Sequence, residues 1–489
     1  MVENTPGSFP LLKIEDYHFT FPSYPGLKGR TLFKGLDLQL SRGEFLIILG
    51  KPESGKTTLG RCLCAVYPGL TQATVQGRIL IDGEDISKRS ACDWIDRVSL
   101  IFQDPDEQIV TSRTDDEAAF ALESLGVEPH VITERMNQSF IDFGVSWNKE
   151  RNPLSLSGGE KKRLLLSCMK MQDTDLWILD EPMDELDQQG QEFLLKTLSH
   201  MASCEQKGVL LFASKYHKSF ASSSAEIAIL HEGGLQQYQG DSESLQILFD
   251  QGLVPGESSS PESSGKKGQS IIHISGLKYQ YPDNSEFSLE IDEFSLNAGE
   301  TAVLAGPNGC GKSTLARLLC GLIPPQEGTI LLEGEPAGKE RLNRSCGYLF
   351  QNPDYQLFLP TVSDELELGL KHSGLTRKER LALVDEALEL FQLPGRNAPP
   401  SLMSFGVRKR LQGAIYYLLE KRLYILDEAD SGLSYRDYET IIRQLKKKDC
   451  ALIIITHNQE ISSIEGDHLY QMAGGRILEQ RDLHREYTL

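Results

Sequence analysis

At 489 residues the chain is long enough for two or three domains, each with its own core, and its 39% hydrophobic and 25% charged content is ordinary for globular protein. A net charge of −20 argues against a nucleic-acid binder, whose footprint is usually basic. The nine cysteines lack C-x-x-C spacing, which indicates neither a zinc site nor a disulfide framework. No apolar run approaches the roughly 20 residues needed to span a bilayer.

The N-terminus (MVENTPGSFP) lacks the charged-then-apolar pattern of a signal peptide. After the aromatics Tyr17, Phe19 and Phe21, the short apolar run Phe45–Leu49 predicts a buried strand. It feeds a glycine-rich loop, Gly50–Thr57 (GKPESGKT), and then a helix-like stretch. In that context backbone N–H groups of the turn and the helix start cradle phosphates. Gly50, Ser54, Gly55 and Thr58 would line the cradle, Lys56 would reach the β- and γ-phosphates, and Thr57 would bind Mg²⁺. Glu53 breaks the pattern, because a negative side chain there crowds and repels a triphosphate. Next come Phe102–Gln108 (FQDPDEQ), the acids Asp115, Asp116 and Glu117, and Leu156–Glu160 (LSGGE) followed by Lys161–Lys162–Arg163. The strand-like LWILDE ends on Asp180, placed to hold a metal, and Glu181, placed to polarise an attacking water.

A segment rich in Ser, Gly, Pro and Glu, residues 252–269, reads as a flexible linker between residues 1–251 and 270–489. Beyond it the layout returns. Tyr279 and Tyr281 precede the strand-like Val303–Ala305 and a second loop, Gly306–Ser313 (GPNGCGKS). There Gly306, Pro307, Asn308, Gly309, Cys310, Gly311, Lys312, Ser313 and Thr314 would hold phosphates, with Ser313 on Mg²⁺. Phe350–Gln356 (FQNPDYQ), the acids Asp364, Glu365 and Glu367, and LYILDE ending on Asp427 and Glu428 follow. Offsets are 256 for the loop lysines, 248 for Gln103 and Gln351, and 247 for the strand-end aspartates. Such steady spacing means duplicated domains. Gln103 and Gln351 are placed to contact Mg²⁺ or the water, and Phe21 and Tyr281 are the candidates to stack on adenine.

The set of phosphate loop, glutamine loop, LSGGE and ILDE closely resembles the ATP-binding-cassette (ABC) ATPases, over nearly the whole chain and twice. The sub-pattern FQ-[DN]-P-D-x-Q looks most like the ATPases of energy-coupling-factor transporters, prokaryotic importers of vitamins and transition-metal ions. That resemblance implies an α/β fold of two tandem phosphate-loop NTPase domains. Each would have a mostly parallel sheet, antiparallel strands at its N-terminal edge, and a helical subdomain. It also implies ATP and Mg²⁺ as ligands and a peripheral place on the cytoplasmic face of the cell membrane. The implied partners are a membrane-embedded coupling subunit and a substrate-binding membrane subunit.

In the family the domains pair head to tail, so each ATP lies between one domain's phosphate loop and the other's signature motif. One site would then combine Lys312, Ser313, Gln351, Asp427, Glu428 and the switch histidine His457 with Ser157, Gly158, Gly159, Glu160 and Asp187. The other would combine Lys56, Asp180, Glu181 and Lys215 with Met403–Val407 and Ser434, where Phe405 replaces a glycine. Lys215 is the residue aligned with His457; a two-residue slip would put His217 there. Because the losses coincide in one site, the second half's nucleotide is expected to be hydrolysed and the first half's to be held. The acidic stretches read either as grooves for basic coupling helices of the membrane subunit or as helix starts that complement the dipole. A soluble twin-cassette ATPase acting on ribosomes or DNA fits less well with a short Ser/Gly linker and −20 charge. The fused ATPase of sugar importers is a nearer alternative.

Overall fold

The computed structural model describes residues 9–23, 29–145, 150–184, 186–255, 268–282, 287–371, 373–448, 450–456 and 466–483. The chain divides into two compact units, Met1–Leu253 and Val254–Leu489.

In the first unit the strands Gly234–Gln237, Glu226–His231, Phe45–Leu49, Gly208–Ala213, Leu176–Asp180 and Val98–Ile101 lie side by side in that order. All neighbours are parallel except the first pair. Phe45–Leu49 and Leu176–Asp180 are buried at every position, as expected of strands covered on both faces. A separate antiparallel sheet runs Arg30–Leu40, Leu12–Phe21, Thr74–Ile81 and Glu84–Asp85. Its strands bury one face only, and Phe19, Phe33 and Ile79 meet Ile48, Leu210 and Phe212 in one core. The helices Thr114–Ser124, Pro129–Asp142 and Gly158–Gln172 pack together as the helical subdomain.

The second unit repeats this plan. Its six-stranded sheet runs Cys346–Leu349, Leu423–Asp427, Ala451–Ile455, Thr301–Ala305, His468–Ala473 and Arg476–Asp482, parallel but for the last pair. Its antiparallel sheet runs Ser288–Asn297, Ser270–Gln280, Glu327–Leu332 and Glu335–Pro336, and its helices are Val362–Leu368, Arg377–Leu390 and Phe405–Leu419.

The expected α/β architecture is present in both units, with one refinement. The N-terminal antiparallel strands make their own sheet, and the antiparallel edge of the parallel sheet comes from Gly234–Gln237 and Arg476–Asp482 near each unit's end. Leu253 is fully buried and its carbonyl accepts from Tyr216 N at 2.7 Å, so the chain stays packed in the first unit to that point. Among the described residues no helix is long and apolar enough to cross a membrane.

Candidate functional site

Each phosphate loop turns through a glycine that nothing else can replace. Gly55 and Gly311 sit at φ 110° and 108°, and a Cβ on either would lie 2.9 Å from Phe33 or Phe287. The helices Lys56–Leu63 and Lys312–Leu319 start at the next residue. Each lysine folds back over its loop: Lys56 Nζ donates to Gly50 O at 2.5 Å, and Lys312 Nζ to Gly306 O at 2.8 Å and Pro307 O at 3.1 Å. Both are almost fully buried and face the strand ends that carry the carboxylates.

Thr57 Oγ1 donates to Asp180 Oδ2 at 2.5 Å, while Asp180 Oδ1 is buried without a hydrogen-bond partner. Burial pushes this carboxyl above its ordinary range, opposed by the Thr57 hydroxyl. In the second unit Ser313 bonds Asp427, which also accepts from Tyr348 OH at 2.5 Å. Burial again raises the carboxyl, and the neighbouring Glu428 adds to the rise. A hydroxyl beside a buried carboxylate with an unsatisfied oxygen is a donor set that fits Mg²⁺, which takes hard oxygen ligands and completes its shell with phosphate oxygens and water.

Glu181 and Glu428 follow at φ 48° and 46°, left-handed backbone that aims both side chains back across the strand ends. Their surroundings differ. Gln351 Nε2 donates to Glu428 Oε2 at 2.9 Å. Glu181 accepts from Ser214 N at 2.8 Å on one oxygen and from the Ser214 hydroxyl on the other, with Lys56 Nζ 3.3 Å away. Lys56 also donates to the Ser214 hydroxyl at 2.8 Å. Burial pushes the Glu181 carboxyl up to about 7, against the pull of Lys56.

The sheet register corrects the expected switch position. Asp180 pairs with Phe212 and Asp427 with Ile455, and Glu181 N and Glu428 N donate to those same two residues' carbonyls at 3.0 and 2.9 Å. Two residues further along come Ser214 and His457, so the counterpart of the histidine is Ser214, not Lys215 or His217. His457 itself lies outside the described residues. The LLFASK and IIITHN segments resemble each other too weakly to hold the alignment, and one residue of slip suffices to lose it.

The LSGGE motif opens the helix Gly158–Gln172 as a reciprocal cap. Ser157 Oγ accepts from Glu160 N at 3.4 Å, and Glu160 Oε2 accepts from Ser157 N at 2.8 Å. Gly158 and Gly159 fill the first turn between them. In the second unit Ser404 still accepts from Val407 N at 3.4 Å, but Val407 has no carboxylate to return the bond. Phe405 takes the first helical position, its ring 5.9 Å from the Arg408 guanidinium. Asp187 and Ser434 cap the next helices, accepting from Gly190 N at 2.8 Å and Asp437 N at 3.2 Å.

The base-stacking candidates lie apart from the carboxylates. Tyr281 OH is 3.3 Å from Thr314 Oγ1, beside the helix that leaves the phosphate loop. Phe21 packs edge-on against Phe19 at 4.9 Å and Tyr67 at 6.1 Å. Gln103 is half-buried beyond the strand Val98–Ile101.

The acidic stretches are largely consumed inside their own domain. Arg113 clamps Asp115 at 3.0 and 2.7 Å. Buried Glu117 accepts from Val110 N and Thr111 N, and buried Glu365 from Phe358 N and Leu359 N. Asp364 accepts from the Thr361 hydroxyl at 2.6 Å, and Glu367 from the Ser363 hydroxyl at 3.1 Å. Beside the exposed Asp116 and Asp364, apolar side chains also face solvent there and repeat at the 248-residue offset: Val110 is 65% and Phe358 72% exposed, Phe120 51% and Leu368 38%.

Sequence reasoning passed over two further pairs. Gln108 and Gln356, the last residues of the repeated FQ motif, fold back on it: each accepts from the phenylalanine N–H and donates to the Leu100 or Tyr348 carbonyl. Lys162 and Lys409 are buried on the signature helices. Lys409 Nζ lies 3.4 Å from both Phe350 O and Glu428 O, joining the glutamine loop to the catalytic strand's end. Their recurrence at the repeat offsets was the available signal.

The family described as ABC transporter matches residues 33–184 and 289–431. A Treponema denticola protein named as an ABC transporter ATP-binding protein is 30% identical over 93% of this chain and 94% of its own length. A Bacillus subtilis protein named as the HMP/thiamine import ATP-binding protein YkoD is 28% identical over 94% of this chain and 89% of its own. Among solved structures, one of ribosome-bound archaeal Pelota and ABCE1 aligns over 95% of this chain and 78% of that one, with a TM-score of 0.67. At 17% identity it shows a shared twin-cassette fold alone.

Proposed function

We propose, from the premise that this chain belongs to the ABC transporter family, that it is the ATP-hydrolysing energy-coupling subunit of a membrane importer of the energy-coupling-factor type, with one competent and one degenerate nucleotide site. The chain is an ATPase of two fused cassettes and uses ATP with Mg²⁺. The vitamin or metal-ion reading draws support from the FQ-[DN]-P-D-x-Q segments and from a relative named for HMP/thiamine import.

The observation that carries the asymmetry is that Gln351 donates to Glu428, whereas among the described residues Gln103 makes no such bond to Glu181. In the second unit Lys312 would bind the β- and γ-phosphates, and Glu428, oriented by Gln351, would polarise the attacking water. Bound Mg²⁺, held by Ser313 with Asp427 and in the first unit by Thr57 with Asp180, would neutralise charge on the phosphate oxygens. Ser157–Glu160 and Asp187 would complete that site by head-to-tail pairing. In the first unit both Glu181 oxygens are engaged by Ser214 and the carboxylate leans on the phosphate-loop lysine, which suits holding a nucleotide better than activating water. ATPase assays of Glu428→Gln against Glu181→Gln test this. Loss of about 10²-fold or more is expected from the first and little from the second; equal losses would sink the asymmetry.

The partner reading shifts from charge to apolar contact. With Asp115, Glu117, Glu365 and Glu367 bonded within their own stretches, Val110, Phe120, Phe358 and Leu368 stand exposed beside the glutamine loops together with Asp116 and Asp364, a surface suited to helices of a membrane subunit.

A further inference from the structure

Glu53 stands in the first phosphate loop at φ 66°, and the twin position in the second unit is Gly309 at φ 77°. An L side chain is strained in that region, and a carboxylate among groups that bind phosphate oxygens repels them. Both penalties fall on one residue, and one neighbour answers both. Arg30, the first residue of the strand Arg30–Leu40, donates from one guanidinium nitrogen to Glu53 O at 2.8 Å, which pins the strained backbone. Another nitrogen lies 3.3 Å from Glu53 Oε1, which neutralises the carboxylate. Arg30 is 50% and Glu53 32% exposed, so the pair stands at the loop's lip where a ligand can reach it.

We propose that Arg30 is the affinity-setting residue of the first phosphate loop. By pairing with Glu53 it cancels the carboxylate and holds a glycine-like turn, so a nucleoside triphosphate binds where the glycine has been lost. The planar guanidinium carries five N–H donors, more than Glu53 uses, and keeps a positive field at the loop mouth. This rests on the reading that the first unit holds a nucleotide.

The test is fluorescence titration of the full-length Lys312→Ala chain with an ATP analogue and Mg²⁺, so that binding reports the first site. Arg30→Met should weaken binding about tenfold, since it strips the cation from a carboxylate facing a polyanion. Glu53→Gly added to Arg30→Met should restore affinity to within about threefold of the background, and Arg30→Lys should retain most of it. The loss should shrink as salt rises, because the pair is exposed. Unchanged binding in Arg30→Met, or a double variant as weak as Arg30→Met alone, overturns the proposal. If Arg30→Met fails to fold, the double variant decides: binding at background strength supports the pairing and weak binding overturns it. A background chain that binds no ATP overturns the first-site reading and this inference with it, whereas normal background binding with an indifferent Arg30 overturns this inference alone.

Discussion

Gln351 Nε2 lies 2.9 Å from Glu428 Oε2, whereas the matching Glu181 is held on both oxygens by Ser214. Gln351 thus links the glutamine loop, where a membrane partner would act, to the carboxylate that would activate water. Gln351→Leu keeps the size of the side chain and removes the donor, so it should lower kcat by roughly 10- to 10²-fold while leaving ATP affinity near its native value. Steady-state kinetics paired with equilibrium nucleotide binding separates the two. A rise in KM at constant kcat would show that the glutamine serves binding instead.

How much of this was legible beforehand follows from how local each signal is. The phosphate loops, Asp180 with Glu181 and Asp427 with Glu428, and the duplicated α/β plan depend on short-range pattern: apolar runs that stop at glycine or a carboxylate, repeated at constant offset. Ser214 was not legible, because its role is set by register against Asp180 across two strands. Arg30 and Glu53 are 23 residues apart in sequence and meet only through the antiparallel sheet. The acids after the glutamine loops were visible as charges, but their loop-closing bonds to Thr111, Phe358 and Leu359 N–H groups depend on tertiary geometry.

Glu181 makes stability depend on pH. Burial raises its carboxyl from 4.5 to about 7, so the folded chain keeps a proton that the unfolded chain has released. Stability contributed by that proton is full at low pH and is lost as pH rises from 4.5 through about 7. Asp180 and Asp427 are raised by burial too and share the sign. Melting midpoints of the native chain should therefore fall across this window, and Glu181→Gln should flatten the decline. An identical slope in the variant would mean that the carboxylate is ionised throughout, with Lys56 and Ser214 outweighing burial.

The exposed apolar residues set a prediction about assembly. Val110 with Phe120, and Phe358 with Leu368, occupy equivalent places in the two units. Phe358→Asp and Val110→Asp place a charge where desolvation is needed for docking, so each should reduce recovery of the chain with the membrane fraction by about tenfold. ATP binding to the purified chain should stay unchanged, since neither side chain is among the groups around the phosphate loops. Asp116→Lys, by contrast, alters a carboxylate that already has Arg113 within 3.5 Å and should have a smaller effect on recovery. Recovery that falls with Asp116→Lys but not with Phe358→Asp would restore the acidic-groove reading.

The signature helices separate stability from turnover. Glu160 returns the Ser157 cap, and Val407 shows what the same helix start looks like without that carboxylate. Glu160→Val should cost the first unit about 0.5–1 kcal/mol, the usual worth of such a cap, with a corresponding drop in its denaturation midpoint. Gly158→Phe acts differently. Phe405 occupies the equivalent position at the head of an intact helix, so a phenylalanine there is compatible with folding and should leave the midpoint nearly unchanged. If the first unit's LSGGE closes over the ATP held by Lys312, Gly158→Phe should still abolish turnover, because the ring occupies the space where backbone must approach the γ-phosphate. Denaturation curves and ATPase rates on both variants decide it: activity retained in Gly158→Phe would place the catalytic contribution of this motif elsewhere than the second unit's nucleotide.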